Sequence, residues 1–139
     1  MMFVLDSSVT MSWYFADEAD PYAAAVLPLL AQWEACTPAI WQLEIANVLL
    51  VGERRGRQTE ADALRFLAIL HTLPIVVDDS LSWDSLDEVL ALARFYNLST
   101  YDAAYLELAI RRSAPIATLD ERLRHAAEAV GITILNPFS

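Results

Sequence analysis

The chain has 139 residues, 56% of them hydrophobic, with nineteen acids against nine basic residues, all arginine, and a formal net charge of −10. That length fits one domain, residues 1–139, able to bury about two thirds of the surface its unfolded form exposes. So acidic a chain lacks the basic surface by which proteins ordinarily hold nucleic-acid phosphates, and implies bound divalent cations, a basic protein partner, or both.

In chain order, Phe3 to Leu5 predicts a short first strand that runs into Asp6, Ser7 and Ser8. No basic segment precedes it, so it does not read as a secretion signal, and a cytoplasmic protein is expected. Ala23 to Trp33 carries a helical pattern in which Pro28 should kink or split the helix. The longest uncharged run, Pro21 to Trp33, is 13 residues with two prolines. A span needs about 20 apolar residues, so no membrane segment is expected and the apolar excess is assigned to a surface covered by a partner. Residues 36–38 suggest a very short strand, and Cys36, the lone cysteine, excludes internal disulfides and thiolate metal clusters. A strongly apolar helix follows from Ile40 to about Arg55, closed by Gly56 where a left-handed residue is wanted.

Thr59 to about His71 is a further helix, opening with the cap-like TEAD, and Ile75 to Val77 is a strand. The next helix sets Leu86, Val89, Leu90, Ala93 and Tyr96 on one face, with Asp84, Asp87, Glu88 and Arg94 elsewhere, and ends at Asn97. Thr100 to Arg112 is helical, and Ile116 and Ala117 form a short strand. Leu119, Leu123, Ala126, Ala127 and Val130 line a last helix before Gly131, and Ile132 to Leu135 is the last strand. This alternation predicts an α/β domain with a central parallel sheet.

Most of the acids, among them Glu60, Asp62, Asp87, Glu121 and Glu128, fall on solvated helix faces. Four do not. Asp6 ends the first strand, at the sheet edge where sites form in open parallel sheets; the plainer alternative is an N-cap, with Ser7 or Ser8 as competitors. Glu44 has Ile40, Trp41, Asn47 and Val48 as its helical neighbours, so it needs compensation; a salt bridge to an arginine is the alternative. Asp102, one turn from Tyr105 and Leu106, is open to reading as a capping box with Ser99. Asp120 follows a strand, and its alternative is support of a helix N-terminus beside a Thr118 to Glu121 capping box.

If these four converge, two carboxylates about 4 Å apart repel by roughly 4 kcal/mol at an effective dielectric near 20, so cations are required. Oxygen ligands with spare waters suit Mg²⁺ or Mn²⁺. Zinc is disfavoured because His71 and His125 lie in other helices, where His71 closes one and His125 pairs with Glu121. A carboxylate site of this kind acts mainly on phosphate esters, and a metal also lets an acidic protein hold an anionic substrate.

Asp6 with Ser8, Glu44 in an apolar helix, STYDAAYLELA around Asp102 and ATLDERL around Asp120 resemble the PIN-domain ribonucleases over essentially the whole chain. Within that family the chain is most similar to the toxin half of VapBC toxin–antitoxin pairs. The resemblance implies a three-layer α/β/α domain and Mg²⁺- or Mn²⁺-dependent endonucleolytic cleavage of RNA by in-line attack of an activated water. It also implies a homodimer and silencing by a cognate antitoxin, which is expected to place a basic residue against the acids. Carried over by position, Asp6 and Asp102 are the principal metal ligands, Glu44 and Asp120 complete the cluster directly or through water, and Ser8 and Thr118 orient the acids. Arg54, Arg55 and Arg57, or Arg111 and Arg112, are candidates to guide the RNA backbone, against a plainer role as helix-end charges. Trp13, Tyr14 and Phe15 would stack bases or receive a partner helix, with core packing expected for at least one.

Two other readings fit parts of the same residues. The stretch DSSVT partly matches the strand-end motif of aspartate-nucleophile phosphatases, but Ser8 replaces the second aspartate and the lysine such enzymes use is missing. A non-catalytic metal-binding or interaction domain would use the acids to hold a cation or a partner's arginines without turnover.

Overall fold

Short apolar runs make the strands, and the central one is buried on both faces. Phe3, Val4 and Leu5 are all fully buried, and since successive strand side chains point to opposite faces, helices must cover the sheet on both. The structure, a computed structural model, describes residues 1–138. Its strands are β1 (Met2–Leu5), β2 (Glu34–Pro38), β3 (Ile75–Asp78) and β4 (Ile116–Ala117), all parallel, in the order β3-β2-β1-β4. Seven helices among the described residues complete a three-layer α/β/α arrangement: α1 (Ser7–Tyr14), α2 (Pro21–Val26), α3 (Ile40–Arg54), α4 (Glu60–Thr72), α5 (Trp83–Tyr96), α6 (Thr100–Arg112) and α7 (Glu121–Ala129). Helix α6 packs on β1 and β2 and against α5, whereas α3 packs on β2 and against α1.

Local signals act as the sequence predicts at several ends. Pro28 ends α2 at Val26 and diverts the chain into a 3₁₀ turn, Leu27–Ala31. Gly56 takes a positive φ of 72° after α3, and Asn97 takes 54° after α5. Thr59 and Asp62 form a complete capping box at the start of α4.

Other expectations are corrected. Residues 7–14 form a helix although SSVTMSWY has no helical pattern; the Asp6 carbonyl starts it by accepting from Val9 and Thr10, and Val9 and Met11 anchor it in the core. The expected last strand shrinks to one bridge, Ile116 to Ile134, because β4 itself ends at Ala117, where the chain turns into Thr118. In α5 the inward position expected of Leu90 belongs to Leu92, which is 7% exposed against 40%.

A charge cluster that the sequence did not reveal ties the end of β3 to α6. Asp78, its side chain 2% exposed, accepts from Arg112 at 2.6 Å and from Arg111 at 3.1 Å, while Arg111 also bonds Glu107 at 2.8 Å. Burial alone would raise the Asp78 pKa, but the Arg111 and Arg112 donors, with Ser80, outweigh it and hold the carboxyl well below the usual range. Such a group stabilises the fold above its unfolded pKa, and that stability is lost as pH falls through the folded value. Asp78→Ala should therefore cost about 2–4 kcal/mol at pH 7, since it strands two guanidiniums at a partly buried site. Urea unfolding would show the full loss at pH 7, and a loss that shrinks only gradually as pH drops below about 4, where the unfolded carboxyl takes up its proton, and ends only below the folded value.

Candidate active site

The carboxyl ends of β1 and β4 are neighbours in the sheet, with Leu5 in register with Ala117, so the residues just beyond each strand meet. Asp6 is 4% exposed and stands at the N-cap position of α1, yet its side chain makes no capping bond. Instead its Oδ2 accepts from Ser8 Oγ at 2.6 Å and from Thr118 Oγ1 at 2.8 Å, and neither hydroxyl touches Oδ1. Ser8 Oγ accepts in turn from the Leu119 N–H, and Thr118 Oγ1 from the Asp120 N–H, so backbone amides of the second loop fix both hydroxyls. Burial pushes the Asp6 carboxyl up to about 6; the two hydroxyls oppose this, and the charges of Glu44 and Asp102 add to it.

Glu44 reaches the same region from α3. No arginine meets it; its Oε1 accepts from the Tyr105 phenol at 2.6 Å. Burial raises its pKa, the phenol opposes, and the charge of Asp102 raises it further. Asp102 lies in the first turn of α6, where its N–H donates to the Ser99 cap at 3.0 Å. The capping box that was the alternative reading there is only half made. In α4 the Asp62 carboxylate returns the bond to its cap backbone, whereas the Asp102 carboxylate does not. Its pKa is raised by burial and then by the charge of Asp120, and the Ser99 hydroxyl beside it opposes the rise.

Asp120 is the N-cap of α7, its Oδ1 accepting from the Leu123 N–H at 3.0 Å. The Thr118 to Glu121 box does not form, because the Thr118 hydroxyl is committed to Asp6 and Glu121 faces His125 at 3.9 Å. Glu44 and Asp102 thus raise Asp6, Asp102 raises Glu44 and Asp120 raises Asp102, although among the described residues no three acid, histidine or cysteine groups are drawn into a ready cage for one ion. The donor set fits Mg²⁺ or Mn²⁺: it is oxygen only, no arginine bridges to any of the four among the described residues, and such ions are held by one or two carboxylates plus waters.

The basic and aromatic candidates turn out otherwise. Arg57 is bonded to Asp17 and Glu18, each at 2.9 Å, and lies 4.0 Å over the Phe15 ring. Arg111 and Arg112 are held by Asp78, so of the expected guides only Arg54 and Arg55 stay exposed without a carboxylate partner among the described residues. Phe15 is core at 1% exposed, Tyr14 packs on Phe15 and Phe66, and Trp13 donates to the Ala23 carbonyl. Sequence reasoning missed Tyr105; its one signal was its place a turn beyond Asp102.

The PIN domain family matches residues 3–129. The chain belongs to the PIN domain family. Solved structures share the fold of this PIN domain at low identity. PAE2754 from Pyrobaculum aerophilum is 22% identical, with a TM-score of 0.71 over 91% of this chain and 84% of that one. VapC20 from Mycobacterium tuberculosis, described as a sarcin–ricin-loop-cleaving toxin, is 15% identical, with a TM-score of 0.66 over 99% of this chain and 100% of that one. A toxin–antitoxin complex from Klebsiella pneumoniae contains a chain 16% identical, with a TM-score of 0.63 over 99% and 98%. No curated protein matches the sequence.

Proposed function

We propose that this PIN domain is a metal-dependent endoribonuclease, the toxin half of a toxin–antitoxin pair, working as a cytoplasmic homodimer. The observation that carries the reading is Asp6: a buried carboxylate held by neutral hydroxyls, near other acids, with no cationic side chain paired to it among the described residues. The likeness to toxin folds, one of them described as a sarcin–ricin-loop-cleaving toxin and one solved in a toxin–antitoxin complex, supports the same reading. Among the described residues no helix is long and apolar enough to cross a membrane.

Asp6 and Asp102 would hold Mg²⁺ or Mn²⁺, with Glu44 and Asp120 completing the set directly or through water. When bound, the ion supplies water activation and neutralises charge on the phosphoryl oxygens. Ser8 and Thr118 both donate to Oδ2 and would keep Asp6 from rotating, leaving Oδ1 bonded to neither. No histidine lies among these groups to serve as general acid or base for attack by the RNA 2′-hydroxyl, so water is the attacking group.

Purified protein incubated with cellular RNA should cleave it with Mg²⁺, and not with a chelator or as Asp6→Asn. The products should carry 5′-phosphate and 3′-hydroxyl ends; a 2′,3′-cyclic phosphate would sink the hydrolytic mechanism. The rival reading is a domain that holds a cation without turnover, and Mn²⁺ binding with no RNA cleavage would establish it. Hydrolysis of small phosphate monoesters would instead indicate an aspartate nucleophile.

A further inference from the structure

A buried phenol needs a partner for its hydroxyl, and the simplest one is a backbone carbonyl. The half-buried Tyr22 follows that pattern, its hydroxyl donating to the Leu135 carbonyl at 2.8 Å, as does the Trp13 indole N–H to the Ala23 carbonyl at 2.8 Å. Tyr105 does not. It is fully buried in α6, yet its hydroxyl is spent on a carboxylate from α3, 61 residues away in sequence, at 2.6 Å. That length is typical of a charge-assisted O–H to carboxylate bond.

We infer that Tyr105 is a positioning residue that fixes the Glu44 carboxylate relative to Asp102. The inference rests on the metal-site reading above. Glu44 has three side-chain torsions and lies half-buried at the rim of the site, so alone it would sample several orientations. Tyr105 has two, and its ring is locked in the core one turn from Asp102 on the same helix. Its single proton goes to Glu44 Oε1. The donor is also neutral. An arginine in its place would cancel the Glu44 charge, whereas a phenol orients the carboxylate and leaves it an anion able to attract a cation. Outer-shell donors of this kind typically change metal affinity by about 10–100-fold.

The test is Mn²⁺ titration by calorimetry on wild type, Tyr105→Phe, Glu44→Gln and the double variant, with a metal-free melt of each. Tyr105→Phe keeps the ring and loses the proton, so its Mn²⁺ Kd should rise by about 10-fold or more. In the Glu44→Gln background the same change should have no further effect, a coupling that a purely packing role would not produce. Equal loss in both backgrounds, or no loss in the single variant, overturns the positioning role while leaving the metal site standing. Wild type that binds no Mn²⁺ overturns both. Should Tyr105→Phe fail to fold, Glu44→Asp keeps the charge but draws the carboxylate back from the phenol; Mn²⁺ binding as tight as wild type there would equally refute the inference.

Discussion

Asp6→Asn should raise the melting temperature of the metal-free protein at pH 7, and should remove most of the further stabilisation that Mn²⁺ gives. The Asp6 carboxyl is pushed from its ordinary 3.8 to about 6, chiefly by burial. The native state therefore binds a proton more tightly than the unfolded chain does. Its contribution is fully present below about pH 4 and is lost as pH rises through about 6. A shift of that size corresponds to about 3 kcal/mol at most, or several degrees of melting temperature for a chain of this length. Asparagine keeps the shape and can still accept from Ser8 and Thr118, so it removes the cost without opening a cavity. Asp102→Asn should act in the same direction but less, because that group is only half-buried. If both variants melt lower than wild type without metal and respond to Mn²⁺ as wild type does, these acids are structural and the nuclease reading fails.

The melt also separates Asp6 from Asp78, the other buried aspartate. Asp78 is clasped by guanidiniums, so its removal lowers stability at pH 7; Asp6 is clasped by hydroxyls, so its removal raises it. Burial is similar at the two sites, and the charge of the partner decides the sign.

What could be read in the sequence was local. Strand triplets, the Pro28 break, the Gly56 and Asn97 helix ends and the TEAD box all depend on residues within a few positions of one another, and all appear as expected. Glu44 stood out because its helical neighbours are apolar, a contrast visible within two turns. Its partner did not. Tyr105 and Glu44 meet only because α3 and α6 converge at the site, and Asp78 meets Arg111 and Arg112 only because α6 reaches the end of β3. Helix α1 was hidden for a related reason: its serines, threonine and valine are poor helix formers, and packing against the core overrides their preference. Capping signals were legible but ambiguous, since Ser99 caps α6 whether or not the Asp102 carboxylate returns the bond.

A cognate antitoxin, expected to be encoded alongside, should abolish cleavage by placing an arginine or lysine among Asp6, Glu44, Asp102 and Asp120. These acids lack any guanidinium neighbour of their own among the described residues, and a partner's cation would relieve the same repulsion that Mg²⁺ relieves. The same partner needs an apolar flank. Helix α3 exposes Leu43 (68%) and Leu50 (41%), two helical turns apart, and α4 exposes Leu64 (60%) and Leu67 (43%), more apolar surface than a free helix pair is expected to leave uncovered. Coexpression should therefore yield a tight complex in which RNA cleavage falls by at least about 100-fold, with this chain stabilised by about 2.7 kcal/mol once free partner reaches a hundred times its Kd. Replacing the inserted basic residue by alanine should restore cleavage while the apolar contacts keep the complex together, and excess Mn²⁺ should weaken inhibition by competing for the same carboxylates. A complex that stays fully active on RNA would mean that the partner binds elsewhere, and that the unbalanced charge of the four acids is met by metal alone.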